Sequence, residues 1–154
     1  MDACPQVPAG LLRAVDHVGL AVPDLEAAIA FYTDVLGLEL RHREDNLEQG
    51  VAEAMLAPPG SSDAATQIQL LAPLDEKSPL ARFLVRSGPG LQQLAFRVDN
   101  VAAAAAELRR RGMRLLYDSA KPGTRGSRIN FVHPKDTGGV LIELVEVAQG
   151  HETS

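Results

Sequence analysis

At 154 residues, 45% hydrophobic and 23% charged, the chain has the size and composition of one soluble domain. A formal charge of −5, with no basic stripe carrying interleaved aromatics, argues against nucleic acid as a partner, and no apolar run approaches the ~20 residues that span a bilayer. Cys4 is the single cysteine, so no internal disulfide forms, and the first residues show no secretory signal; the expected setting is cytoplasmic.

Residues 1–12 carry Pro5 and Pro8 and little pattern, and read as a flexible tail. Residues 14–22 alternate and are β-branched, so they predict a strand with Val15, His17, Gly19 and Ala21 on one face. Pro23 ends it, and Asp24 is placed to cap a helix marked by Leu25, Ile29, Tyr32 and Leu36, with Gly37 as its stop. Strands follow at 38–44, 51–57 and 66–72, separated by a polar turn and a loop rich in Pro, Gly, Ser and Asp. The segment 13–74 therefore reads β-α-β-β-β. A connector, 75–90, holds a short helix that opens with Pro79 in its first turn. Residues 91–98 predict a strand, and Asn100 or Asp99 caps an Ala-rich helix, 101–111, closed by Gly112. Strands are expected at 113–118, 127–133 and 140–147, with a second tail at 148–154. The segment 91–147 thus repeats β-α-β-β-β, and the expected fold is α+β: two paired modules forming a curled mixed sheet in one domain.

Four polar residues occupy corresponding strand positions in the two modules: His17 and Gln69 in the first, Gln93 and Glu143 in the second. Alone, a His on a strand is most often a satisfied core or surface residue, and a Gln in such an alternation is about as often simply solvent-facing as not. Repetition of the pattern among apolar neighbours changes that, because a cation is a strong reason to bury four such groups together. One imidazole, one carboxylate and two amide oxygens suit Mn²⁺, Co²⁺, Ni²⁺ or Mg²⁺ better than the thiolate sites of structural zinc. Glu53 shares a strand face with Val51 and Met55. It is a candidate base if that face turns inward, and an ordinary edge carboxylate if it does not. The stretch Lys121-Pro122-Gly123-Thr124-Arg125-Gly126-Ser127-Arg128, with His133-Pro134-Lys135 beyond it, combines glycines with cations and can grip an anion. No phosphate-binding or serine-hydrolase signature is present.

Five stretches carry a resemblance: Asp16-His17-Val18-Gly19-Leu20-Ala21-Val22, Glu48-Gln49-Gly50-Val51-Ala52-Glu53-Ala54-Met55-Leu56, Gln67-Ile68-Gln69-Leu70-Leu71-Ala72-Pro73-Leu74, Ser127-Arg128-Ile129-Asn130-Phe131-Val132-His133-Pro134-Lys135 and Gly139-Val140-Leu141-Ile142-Glu143-Leu144. Together they resemble the vicinal oxygen chelate superfamily and, within it, the methylmalonyl-CoA epimerase family. The resemblance implies βαβββ modules curled around a divalent metal, Co²⁺ or Mn²⁺ first, then Ni²⁺, Mg²⁺ or Zn²⁺. It implies metal ligands at His17, Gln69, Gln93 and Glu143, and catalytic glutamates at Glu53 and Glu143. Ser127, Arg128 and Lys135 become expected substrate contacts, an acyl-CoA the expected substrate, and a homodimer the expected assembly. The chain departs from the family at Gln92-Gln93, where a His pair is usual. The implied reaction is a 1,1-proton transfer at the carbon between a thioester and a carboxylate. Two other readings stay open: glyoxalase-type isomerisation of a glutathione adduct, disfavoured by the stretches around Glu53 and 127–135, and a metal-free small-molecule binder, kept open by Gln93.

Overall fold

The computed structural model describes residues 11–148. The expected tails lie almost wholly outside that range, as does Cys4. Leu11, expected in the first tail, packs against the buried cluster of Val98, Val101, Ala104 and Leu144.

In the first module, β1 (Ala14–Ala21) buries His17, Gly19 and Ala21 on one face, as the alternation predicts. Asp24 Oδ1 accepts the Ala27 N–H at 3.1 Å and caps α1 (Leu25–Ala30). The helix continues as a π turn (Phe31–Val35) and stops before Gly37, which takes φ 77. Next come β2 (Glu39–Asn46), β3 (Val51–Ala57) and β4 (Gln67–Pro73). The connector carries α2 (Pro79–Ser87), capped by Ser78 through the Leu80 N–H. The second module contributes β5 (Gly90–Arg97), α3 (Val101–Arg110), β6 (Lys121–Pro122), β7 (Arg128–Val132) and β8 (Leu141–Glu146). Asn100 caps α3 through the Ala103 N–H, whereas Asp99 pairs with Arg13 instead.

All eight strands form one sheet, ordered β2-β3-β4-β1-β5-β8-β7-β6. The antiparallel pair β1–β5 joins the modules, and each of these strands runs parallel to the last long strand of its own module. The registers repeat: Gly19 faces Gln69 in the first module, and Ala95 faces Glu143 in the second. The residues two places earlier, His17 and Gln93, are therefore equivalent, and both point to the concave face. Helices α1 and α3 cover the opposite face, whereas α2 packs through Leu80 against Ala21, Val51 and Leu71 on the concave side. Leu25 of α1 packs with Leu56 and Leu70, and Val101 of α3 packs with Leu144. The Ala run of α3 needs no further role, because small side chains allow that close approach.

The structure corrects one expected strand. Segment 113–118 makes a single bridge, Leu115 to Val132, and the paired strand comes later and shorter, as β6. A side chain explains this. Asn130 Oδ1 accepts the Tyr117 N–H at 3.2 Å, and its Nδ2 donates to the Tyr117 carbonyl at 3.0 Å. The Asn130 amide thereby takes the place of a backbone partner and ends the ladder at Leu116.

Candidate active site

Five of the predicted residues meet on the concave face. His17, Glu53, Gln69, Gln93 and Glu143 are each between 2% and 6% exposed. Burying five polar groups is costly unless each is paired, and here each is. Gln93 Nε2 donates to Gln69 Oε1 at 2.9 Å and to Glu143 Oε2 at 3.2 Å. His17 Nε2 lies 3.2 Å from Glu143 Oε1 and 3.5 Å from Gln93 Nε2. Gln69 Nε2 donates to Glu53 Oε2 at 2.8 Å. The Gln93 nitrogen therefore sits within 3.5 Å of a polar atom on each of the other three expected metal ligands. Gly19 makes room for it, since a Cβ there would lie 2.5 Å from Gln93 Cγ.

Behind His17 stands a support that the sequence reading missed. Asp16 Oδ2 lies 2.7 Å from His17 Nδ1, and Arg97 grips Asp16 Oδ1 with Nε and an amino group at 3.0 and 2.8 Å. Burial alone would depress the His17 pKa, but its hydrogen bonds to the Asp16 and Glu143 carboxylates, and their negative charge, outweigh it and raise it to about 9. Asp16 shows the converse. Burial pushes its carboxyl up, yet His17 and Arg97 hold it below the usual carboxylate range. The arrangement fixes the ring and leaves Nε2 aimed at the cluster.

Glu53 sits at the end of the chain of amides. Its Oε1 accepts the Thr124 hydroxyl at 2.6 Å, so both carboxylate oxygens are tied down. Burial pushes its pKa up to about 7 against the opposing Thr124 hydrogen bond, and the negative charges of Glu44 and Glu143 add to the rise. Thr124, like Asp16, was not singled out from sequence.

Glu53, Gln69, Gln93, Thr124 and Glu143 line a cavity of about 210 Å³ with apolar walls that include Leu71, Leu80, Ile129 and Phe131. Tyr117 bridges the modules beside it: its hydroxyl donates to Gln49 Oε1 at 3.0 Å and accepts from Gln49 Nε2 at 2.8 Å. The structure does not bring Ser127, Arg128 or Lys135 to this cavity. Ser127 is buried, but its hydroxyl lies against the backbone of Gly123, and its own backbone closes the loop that carries Thr124. Ile129 and Phe131 face the cavity from β7, which turns the neighbouring Arg128 to the other face. Lys135 is exposed on a 3₁₀ turn (Pro134–Asp136).

Among the described residues there is no cluster of three or more His, Cys, Asp or Glu suited to a metal, because two of the four expected ligands are amides. The donor set still fits a divalent ion. His17 Nε2, Gln69 Oε1 and the Glu143 carboxylate already converge, and Gln93 presents Oε1 in the same place once its amide turns about Cγ–Cδ.

Residues 16–131 match the Glyoxalase/Bleomycin resistance protein/Dioxygenase superfamily, and the chain belongs to that superfamily. Enzymes of this superfamily commonly use a divalent metal. The chain is 56% identical to methylmalonyl-CoA epimerase from Mycobacterium tuberculosis, with a TM-score of 0.86 and 94% of each chain covered. It is 39% identical over 138 residues to the mitochondrial methylmalonyl-CoA epimerase of Mus musculus, covering 89% of this chain and 75% of that one. A methylmalonyl-CoA epimerase solved in complex with methylmalonyl-CoA and NH₄⁺ is 46% identical, with a TM-score of 0.85, covering 90% of this chain and 96% of that one. Within the superfamily, the chain is a member of the methylmalonyl-CoA epimerase family.

Proposed function

We propose that the chain interconverts the 2R and 2S forms of methylmalonyl-CoA by moving a proton at the carbon between thioester and carboxylate. The observation that carries this is the pair Glu53 and Glu143. Both carboxylates are buried on one cavity and linked through Gln69 and Gln93. Inverting a carbon by proton transfer needs one group to take the proton and another to return it from the opposite face. Glu53 takes or returns the proton on one face and Glu143 on the other. Raised basicity at Glu53 suits it to abstraction near neutral pH. Apolar walls exclude water and strengthen the local electrostatics.

His17, Gln69, Gln93 and Glu143 would hold the divalent ion. When bound, it supplies Lewis-acid stabilisation of negative charge developing on the substrate oxygens. Asp16 and Arg97 hold the His17 ring so that Nε2 faces that position. A volume of about 210 Å³ is below the ~300–1,000 Å³ that encloses drug-sized ligands, so it takes the acyl head and leaves the coenzyme arm outside. Membership of the epimerase family supports the reading.

The test is to supply one 2-epimer with Co²⁺ and follow the acyl stereochemistry by chiral analysis. Approach to an equal mixture is expected; retention of the starting epimer would refute the proposal. A second reading, a metal-free binding protein, draws on the Gln93 nitrogen at the centre of the cluster. It is favoured only if the protein takes up no divalent ion and activity stays absent with Co²⁺ or Mn²⁺ supplied.

A further inference from the structure

Glu44 and Glu53 lie directly opposite each other in the β2–β3 pairing. Like charges in that arrangement repel, so Glu44 stabilises nothing by facing Glu53 alone. Its carboxylate is engaged elsewhere. Glu44 Oε1 accepts the Arg125 backbone N–H at 2.7 Å and lies 2.8 Å from His42 Nε2. Arg125 has φ 57 and ψ 36, and among the described residues it is the one non-glycine residue with positive φ. A side chain makes that left-handed conformation unfavourable, so something must hold it. The residue just before it, Thr124, is the one whose hydroxyl reaches Glu53 Oε1.

We infer that Glu44 is a positioning residue: by gripping the Arg125 amide it holds the left-handed turn that seats the Thr124 hydroxyl on Glu53. The role of Glu53 in proton transfer is taken from the function proposed above. The contacts run His42, Glu44, Arg125, Thr124, Glu53, crossing from the first module into the second and back. With Oε1 held by Thr124 and Oε2 by Gln69, the carboxylate is fixed in one orientation, which is what proton abstraction from a fixed carbon requires. Glycine at position 125 would adopt the turn without help, so Arg125 makes the seating of Thr124 depend on Glu44.

Kinetics and crystal structures of four variants test this. Glu44→Ala should lower kcat about tenfold while KM changes less than about twofold, because a mispositioned acid–base group loses part of its ~10²–10⁴-fold contribution. Glu44→Gln keeps an acceptor oxygen without the charge, and should stay within about threefold of the parent kcat. The double variant Glu44→Ala/Arg125→Gly should recover the kcat of Arg125→Gly alone. In the Glu44→Ala crystal the Thr124 hydroxyl should lie beyond hydrogen-bond reach of Glu53, and in the double variant the contact should return. Unchanged kcat in Glu44→Ala, equal impairment of Glu44→Gln, or no recovery in the double variant would each overturn the inference. A parent protein without epimerase activity would sink the proposed function instead. The crystal comparison decides the inference in that case too, since Thr124 still seated on Glu53 in Glu44→Ala would refute it.

Discussion

Glu53 and Gln93 are the two residues at which the site is most open to experiment. Glu53→Gln preserves the hydrogen-bonding shape but removes the base. We expect turnover to fall tenfold or more, in line with the ~10²–10⁴-fold worth of acid–base catalysis, with metal content unchanged by elemental analysis. Loss of the metal together with the activity would make Glu53 a ligand rather than a base. Gln93 offers a neutral amide, and the amide must turn from its bonds with Gln69 and Glu143 to present oxygen. Gln93→His replaces it with a better donor. Calorimetry should show Co²⁺ binding tightened by about tenfold or more, whereas unchanged affinity would mean that position 93 does not touch the ion. His17, Gln69, Gln93 and Glu143 were legible in the sequence because a repeat sets equivalent residues in equivalent strand positions; Glu53 has no such counterpart, and its shared face with Val51 and Met55 left an edge carboxylate open until the resemblance named it. Asp16, Arg97 and Thr124 were not. Their roles come from contacts across the molecule, and an Asp, an Arg or a Thr at those positions looks like any other surface residue.

Element by element, the helix caps at Asp24 and Asn100 and the Pro79 start of α2 read true from local chemistry. Segment 113–118 misled because strand pairing is decided by the partner, and here the Asn130 side chain is that partner. The β1–β5 crossing supplies an element-scale test. Gly19→Ala would drive a Cβ to within 2.5 Å of Gln93 Cγ at the seam between the modules. Overpacking of this kind costs about 1–3 kcal/mol, and the thermal midpoint should fall accordingly. A neutral substitution would show that the Gln93 side chain has other room. A second test concerns the tie between the 3₁₀ turn and the segment before β6. The Arg114 side chain and backbone N–H hold the Asp136 carboxyl down to about 2, from 3.8, with His133 adding to the effect. A depressed acid stabilises above its unfolded pKa and stops doing so as pH falls through its folded pKa. Asp136→Asn should therefore melt below the parent at neutral pH, with the gap closing between about pH 4 and pH 2. A gap constant down to pH 2 would mean the bond acts through shape and not through charge.

At the scale of the whole molecule, function follows from how two modules share one sheet. Both modules contribute to the buried cluster: His17, Gln69 and Glu53 from the first, Gln93 and Glu143 from the second. Neither half alone has two carboxylates on a common cavity. The paired architecture was legible from the order of elements, and its registers match between modules. The measurement closest to the proposed chemistry is deuterium wash-in at C2 of methylmalonyl-CoA, followed by NMR in D₂O with Co²⁺ supplied. We expect the C2 proton to exchange with solvent in the parent protein and to exchange at least about tenfold more slowly in Glu53→Gln. A C2 proton that persists unexchanged in the metal-supplied parent would contradict proton transfer between these glutamates.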